Sequence, residues 1–303
     1  MHGVLVVDKP AGPTSHDIVD GVRRLLQVRR AGHTGTLDPF ATGVLPVCVG
    51  KATRLARFLA EGEKVYRATV RLGFATTTDD ATGTPIHDAR PVSFAPGAVE
   101  EAARSLTGEI LQRPPAYSAK RVGGRRLYVL ARRGVAVEPD PARVTVHAID
   151  LLDVPGDTVE MEVRCSPGTY VRALARDLGE RLGVGGHLVA LRRVRSGGFG
   201  LDDAVPWEPS PEEARGRLLA LSAVLTELPA VAVGAEGREA LRHGRDLDRR
   251  LVTRGFPAAA PSRMRVVDGA GALLALAVPR GFDPPGPGLS IEPVLHPDVV
   301  LTD

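Results

Sequence analysis

The sequence predicts an α+β fold built on a mainly antiparallel mixed sheet, with a small β-rich domain at the end of the chain. Three observations predict it. Helix-periodic and strand-like segments interleave irregularly, a period-two alternation runs through residues 64–72, and beyond Pro229 the composition changes to short glycine-punctuated pieces.

Residues 4–7 form a short apolar strand that runs into Lys9-Pro10-Ala11-Gly12-Pro13. Thr14 or Ser15 can then cap a helix whose Ile18, Val19, Val22, Leu25 and Leu26 recur at helical spacing. A loop through 32–43 leads to a buried strand at 44–49, a helix at 51–59 and a strand at 64–72. On that strand Tyr66, Ala68, Val70 and Leu72 share one face, while Arg67, Thr69 and Arg71 share the other. Pro96 and Gly108 bracket a helix near 99–106, and another is expected at 126–133, ended by Gly134. Strands at 144–152 and 159–165 precede a Pro167-Gly168-Thr169 turn, a helix over 170–182 and a strand at 187–194. A Pro/Glu-rich stretch at 207–213 and a helix after it lead to Pro229. A boundary near Ala230 separates domains of 1–230 and 231–303, and in the second a hairpin forms from 264–267 and 273–278 around Asp268-Gly269. There is no internal repeat.

No apolar run approaches the roughly 20 residues that a membrane span needs, and the first residues lack a basic lead or a small-residue cleavage site. A cytoplasmic location is expected. The two cysteines, Cys48 and Cys165, lie inside apolar strand-like runs and read as buried thiols rather than a disulfide framework. No CxxC, HExxH or clustered His/Asp appears, so no metal site is expected. A net charge of +3 leans too modestly basic to mark a nucleic-acid binder by itself. Arginine supplies nearly all the cations, the lysines being Lys9, Lys51, Lys64 and Lys120.

Two patterns look chemical and are not. Ser15, His16 and Asp17 are the residue types of a hydrolytic triad, but consecutive residues at a helix start point in different directions, and capping is the better reading. Gly50-Lys51-Ala52-Thr53 lacks the hydroxyl after lysine and the upstream glycine of a phosphate-binding loop.

The segment 32–47, GHTGTLDPFATGVLPV, sets Asp38 among small, hydroxylated and apolar residues. From spacing alone such an aspartate is an Asx turn. The run resembles the catalytic motif of the TruB family of tRNA pseudouridine synthases. Further blocks agree in order over roughly the first 200 residues: VDKPAG, KVYRATVRLG, TTTDDATG, RPPAYSAKRVGGRRLYVLARRG, SPGTYVRALARDLG and HLVALRRVRSGGF.

The resemblance implies a pseudouridine synthase fold and an isomerase that needs no cofactor. Such an enzyme converts the T-loop uridine at position 55 of tRNA. Asp38 is the implied catalytic carboxylate, Tyr66 stacks on the target base, and Arg172 pairs with Asp38, since a guanidinium favours the charged carboxylate. Tyr170 and Leu191 line the uracil pocket, Lys9 and Pro10 shape the same site, and His33 enters the T-loop, whose uridine must be flipped out to react. Asp80 and Arg121 join the implied substrate-binding set; Arg121 stands where the family usually has Lys, with Lys120 displaced by one. Arg23, Arg24, Arg121, Arg125, Arg126, Arg192 and Arg193 are candidates for phosphate contacts. The terminal domain, 235–303, sits where the family carries a PUA-type RNA-binding module, expected to touch the acceptor stem, and the family precedent is a monomer. Alternatives are a tRNA-folding factor whose chemistry is secondary, and a synthase for another RNA.

Overall fold

The computed structural model describes residues 1–118, 120–122, 124–127, 130, 135, 139–282 and 292–302, with the backbone alone at 121, 122 and 126. In chain order the first elements are β1 (Gly3–Lys9), α1 (Ser15–Leu26), β2 (Ala31–His33), β3 (Thr42–Val49), α2 (Ala56–Ala60), β4 (Lys64–Leu72), α3 (Ala98–Arg104) and β5 (Gly108–Gln112). A two-residue hairpin, β6 (Arg121–Val122) and β7 (Arg125–Arg126), precedes β8 (Ala142–Asp153), β9 (Thr158–Cys165), α4 (Val171–Arg181), β10 (Gly186–Ser196), β11 (Phe199–Gly200), β12 (Ala204–Pro206) and α5 (Pro211–Gly216). The helix expected at 126–133 lies almost wholly outside the described residues.

The main sheet runs β12-β1-β3-β10-β4-β9-β8-β5, with β2 added beside β3 and β11 beside β10. Within this sheet, among the described residues, only the β1–β12 and β10–β3 pairings are parallel. The continuous apolar runs of β1 and β3 are explained by cover on both faces. The period-two pleat sends Leu5, Val7, Leu45, Val47 and Val49 into one core with α1 and α4, and Val4, Val6, Val44 and Cys48 into another. That second core also takes Leu55, Phe58, Leu273, Leu276 and Leu301, so the terminal sheet packs on the back of the main one.

Thr14 resolves the choice of cap for α1. Its hydroxyl accepts from the Asp17 amide, and the Asp17 carboxylate accepts from the Thr14 amide at 2.8 Å, a reciprocal capping box. Ser15 is buried and turns elsewhere. Midway along α1, Gly21 lies under the Trp207 ring, which a Cβ would overlap. The helix expected at 51–59 is instead a 3₁₀ turn, Gly50–Leu55, followed by the short α2. The Thr53 hydroxyl donates to the Gly50 carbonyl at 2.8 Å, competing with helical bonding there. The late helix α5 starts inside the Pro/Glu-rich stretch, with Ser210 as cap and Pro211 in the first turn, where its missing N–H costs nothing.

A second sheet begins at Ala230, in the order β14-β13-β15-β16-β17, from β13 (Ala230–Val233), β14 (Val252–Arg254), β15 (Met264–Val267), β16 (Leu273–Arg280) and β17 (Val294–Val300). One helix, α6 (Ala235–Arg242), packs on it. The expected hairpin is β15–β16; the Asp268 side chain closes its turn by accepting from the amides of Ala270 and Ala272. Among the described residues no helix is long and apolar enough to cross a membrane. Cys48 and Cys165 are both buried free thiols, pushed up to about 12 and about 11 by burial.

Helix α4 crosses the start of β10 with Gly179 directly on the backbone of Gly185 and Gly186, where a Cβ would overlap main-chain atoms. Because backbone cannot swing away as a side chain can, Gly179→Ala should cost about 1–3 kcal/mol of stability. A urea midpoint equal to that of the parent would show that the helix reseats without strain.

Candidate active site

The loop between β2 and β3 carries Asp38, and its main chain is held from three sides. From β1, the Lys9 ammonium donates to the carbonyls of Pro10 (2.9 Å), Pro39 (3.1 Å) and Ala41 (2.7 Å). From β10, Arg193 donates to Gly35 at 3.1 Å, Thr36 at 3.5 Å and Val44 at 2.8 Å. From α1, the Ser15 hydroxyl donates to the Leu37 carbonyl at 3.0 Å and accepts from its amide at 2.8 Å. The Gly12 amide takes the Pro39 carbonyl at 2.8 Å and Ala41 closes a turn on Asp38 at 3.1 Å. Main-chain carbonyls hidden from water need partners, and here two buried cations supply most of them. Gly43 has φ +103° and lies on the Arg193 main chain, so both conformation and space require glycine.

Three acceptors around Lys9 use all three of its N–H groups, so the geometry selects the ammonium form. Burial pushes this lysine down to about 8, while the Asp38 charge pulls it back up. Lys9 is fully buried and Pro10 presents its carbonyl to it, so Lys9 shapes the site and has no donor left for a substrate.

Arg172 enters at the start of α4, 96% buried, and joins two carboxylates. Its Nε lies 2.9 Å from Asp38 Oδ2 as an ion pair, and Nη2 donates to Asp38 Oδ1 at 3.2 Å. Nη1 faces Asp80 Oδ2 at 3.3 Å. Its remaining bonds go to the carbonyls of Thr78 (3.0 Å) and Tyr117 (2.9 Å). Asp80 is fixed in turn, its Oδ1 accepting from the hydroxyls of Thr78 (2.7 Å) and Thr82 (2.5 Å) and from the Thr82 amide (2.9 Å). With both oxygens engaged and the side chain buried, Asp80 is fixed against Arg172. The Asp38 side chain is one-third exposed and is the open end of this chain of contacts. Burial pushes the Asp38 carboxyl above its ordinary value, Arg172 pulls it down, Asp80 pushes it up again, and Lys9 pulls it down.

Tyr66 stands on β4 opposite Arg193 of β10, buried, with burial pushing its phenol up and the Arg193 guanidinium opposing that. Two residues along β10, on the same face as Arg193, Leu191 faces the same core as Tyr66 and Leu37. Tyr170 caps α4, its amide donating to the Gln112 side chain at 2.7 Å and its carbonyl accepting from it at 3.1 Å. His33 ends β2; its Nδ1 accepts from the Gly35 amide at 3.3 Å, which places the ring proton on Nε2. Burial lowers the His33 pKa, with the charges of Arg193 and His16 acting the same way, so the ring is neutral. Asp38, Arg172, Lys9, Pro10 and Asp80 are thus brought together directly, and Tyr66, Leu191 and His33 flank them. The Arg121 side chain lies outside the described residues. Among those residues no cluster of three or more His, Cys, Asp or Glu could hold a metal.

Three of the seven arginines expected to meet phosphates are committed elsewhere. Arg193 is buried in the loop. Arg192, one residue along the pleat, points the other way into a two-bond pair with Asp8 at 2.7 and 3.0 Å. Arg23 binds Asp20 at 2.7 Å and the Ala31 carbonyl at 2.8 Å. Arg24 and Arg125 are exposed, and the Arg126 side chain is outside the described set. Ser15, Gln112 and the structural use of Arg193 were missed in the sequence; a hydroxyl beside a helix cap and a cation on a buried strand face were the signals for the first and third.

Lys9→Met keeps the stem and leaves three carbonyls without a donor. About 1–3 kcal/mol per uncompensated buried group, relieved in part by loop movement, gives an expected loss of about 3 kcal/mol. Urea denaturation reads it, and a loss below 1 kcal/mol would mean that the loop finds other partners.

The chain matches two family profiles, the TruB family pseudouridylate synthase N-terminal domain over residues 23–171 and the tRNA pseudouridylate synthase B C-terminal domain over 172–209. It is 47% identical over 259 residues to tRNA pseudouridine synthase B of Ralstonia nicotianae, spanning 83% of this chain and 82% of that protein. It is 48% identical over 257 residues to the protein of that name from Geobacillus kaustophilus, spanning 80% and 90%. Among solved structures, a Cbf5-Nop10-Gar1 complex superposes with a TM-score of 0.75 at 26% identity, covering 99% of this chain and 85% of that one. Sequence, fold and the setting of Asp38 converge: the chain belongs to the TruB family of pseudouridylate synthases.

Proposed function

We propose that the protein converts the T-loop uridine at position 55 of tRNA to pseudouridine, acting in the cytoplasm as a monomer. The observation that carries this reading is the Asp38–Arg172–Asp80 chain of contacts, a lone accessible carboxylate held by an immobilised guanidinium. Curated relatives named tRNA pseudouridine synthase B support the substrate class.

The reaction breaks C1′–N1, turns the freed uracil and joins C5 to C1′; the C5 proton is lost and N1 gains one, so nothing is consumed. It needs an anionic carboxylate at the sugar and base, an enclosure for the loose uracil and a proton acceptor near C5. Asp38 provides the carboxylate and Arg172 keeps it ionised and oriented. Tyr66 stacks on the base, with its hydroxyl next to the C5 proton, and Leu191 and Tyr170 line the enclosure. His33 enters the loop of the RNA and fills the place of the flipped nucleotide. A neutral ring suits that task, because it leaves no charge to be desolvated among stacked bases. The terminal sheet acts as a PUA-type module that contacts the acceptor stem.

Asp38→Asn should abolish pseudouridine formation in unmodified tRNA while leaving its affinity within about tenfold, about 1.4 kcal/mol. Pseudouridine mapping beside a filter-binding titration checks it, and retained turnover would remove Asp38 from the chemistry.

The pH profile gives a second test. Turnover needs the ionised Asp38, whose pKa lies above the ordinary 3.8, so the rate falls as pH drops through that raised value. Arg172 lowers this pKa, and Arg172→Lys replaces a two-point guanidinium contact with a single ammonium. The acid limb should therefore move to higher pH, with a thermal melt confirming the fold. An unmoved limb would show that the guanidinium does not set the charge on Asp38.

A further inference from the structure

Two arginines of α4 make parallel sets of contacts, and one of them reaches Asp38. Arg172 and Arg176 lie one helical turn apart, so they project from the same side of the helix. Both reach into the loop between β4 and α3, where the carboxylates of Asp79 and Asp80 are consecutive. Arg172 Nη1 faces Asp80 Oδ2 at 3.3 Å, and Arg176 Nη1 donates to Asp79 Oδ2 at 2.9 Å. Each then crosses to the segment ahead of β6. Arg172 Nη2 donates to the Tyr117 carbonyl at 2.9 Å, and Arg176 Nη2 donates to the Arg113 carbonyl at 3.1 Å. The same two segments are thus tied to α4 twice, by rungs one turn apart.

The fold makes room for the second rung at some strain. Asp79 has φ +60°, in the left-handed region that aspartate and asparagine tolerate better than most side chains. That turn lets two adjacent carboxylates face one helix, where neighbours on an extended chain point apart. Behind it the backbone is pinned to β10: the Leu188 amide donates to the Asp79 carbonyl at 3.0 Å, and the Leu188 carbonyl accepts from the Ala81 amide at 2.9 Å. Asp79 is buried; burial pushes its carboxyl up, and Arg176 and then Arg172 pull it down. Arg176 is steadied from its own helix, its Nε donating to Asp177 Oδ1 at 2.9 Å with Glu180 at 3.9 Å. A strained residue of this kind persists where its surroundings over-determine it.

The first rung depends on where the guanidinium is set. Arg172 Nε lies 2.9 Å from Asp38 Oδ2 yet finds no aligned hydrogen-bond acceptor among the described residues. Its hold on that oxygen is an ion pair, whose strength follows the placement of the arginine. That placement is fixed by the loop at 76–84 and the segment at 113–117, the two parts that Arg176 also ties down.

We infer that Arg176 and Asp79 are positioning residues for the reaction: their ion pair sets the 76–84 loop and the 113–117 segment so that Arg172 is aimed at Asp38. The inference rests on Asp38 being the carboxylate of the proposed reaction.

The test is Asp79→Asn, which keeps the size and the left-handed turn and removes the charge. The Asp38 carboxyl is titrated by NMR in the free protein, turnover is measured on unmodified tRNA, and a thermal melt checks the fold. The charges facing Asp38 are Arg172, Asp80 and Lys9, and those facing Arg176 are Asp79, Asp177 and Glu180. Direct electrostatics and positioning predict opposite signs. Losing a nearby negative charge can only lower the Asp38 pKa, whereas a loosened Arg172 raises it. The expected result is a raised Asp38 titration with kcat down about 10- to 100-fold and KM within about threefold. Arg176→Gln should match it, and Arg176→Lys, which can still reach Asp79, should recover part of kcat. An unmoved or lowered Asp38 titration, or a loss confined to KM or to the melting temperature, would overturn the positioning role. A parent protein that forms no pseudouridine in tRNA would instead overturn the reading of the substrate, while the titration still decides whether Asp79 and Arg176 aim Arg172.

Discussion

One buried guanidinium governs the site. Arg172 carries a single positive charge between two carboxylates, and the two ends of that contact are treated differently. Asp80 is saturated by two hydroxyls and an amide and cannot move without breaking them. Among the described residues Asp38 has only Arg172 as a side-chain partner, and it reaches toward solvent. Rigidity is therefore passed in one direction, from Asp80 through Arg172 to Asp38. A carboxylate so placed is oriented before a substrate arrives, and pre-organised polar groups need no rearrangement when charge develops.

That arrangement works only because the loop bearing Asp38 is itself immobile. A glycine-rich turn would ordinarily be a mobile surface segment. Here Lys9, Arg193 and Ser15, from three different elements, consume its carbonyls, and the two cations do so at the cost of being buried. One of these charges, Lys9, also pulls down the pKa of Asp38, so scaffold and electrostatics are coupled: a group that fixes the path of the chain also biases the ionisation of the carboxylate it carries.

Much of this was legible in the sequence, for identifiable reasons. Long periodic runs such as 64–72 and the α1 repeat gave their elements directly, because burial on one face leaves a period. The motif around Asp38 and the block SPGTYVR named two residues, Asp38 and Arg172, that the fold brings into contact. What stayed hidden depends on direction rather than type. Adjacent Arg192 and Arg193 look like one basic pair, yet the pleat sends one to Asp8 and the other into the core. Ser15 and Thr14 are both good caps, and only packing decides that Ser15 serves Leu37 instead. The contacts that fix Asp80 stayed hidden too, since its two hydroxyl partners, Thr78 and Thr82, are visible in sequence but their geometry is not. The helix at 51–59 failed because a threonine hydroxyl bonds a carbonyl that a regular helix would use.

The contact between Trp207 and Gly21 has a practical side. The chain contains one tryptophan, and its indole rests on the same helix whose first residue, Ser15, grips the backbone at Leu37. Indole emission is sensitive to its surroundings, so undocking of α1 changes the fluorescence of a single, unambiguous chromophore. The protein carries its own optical gauge of whether the anchor beneath the loop bearing Asp38 is seated.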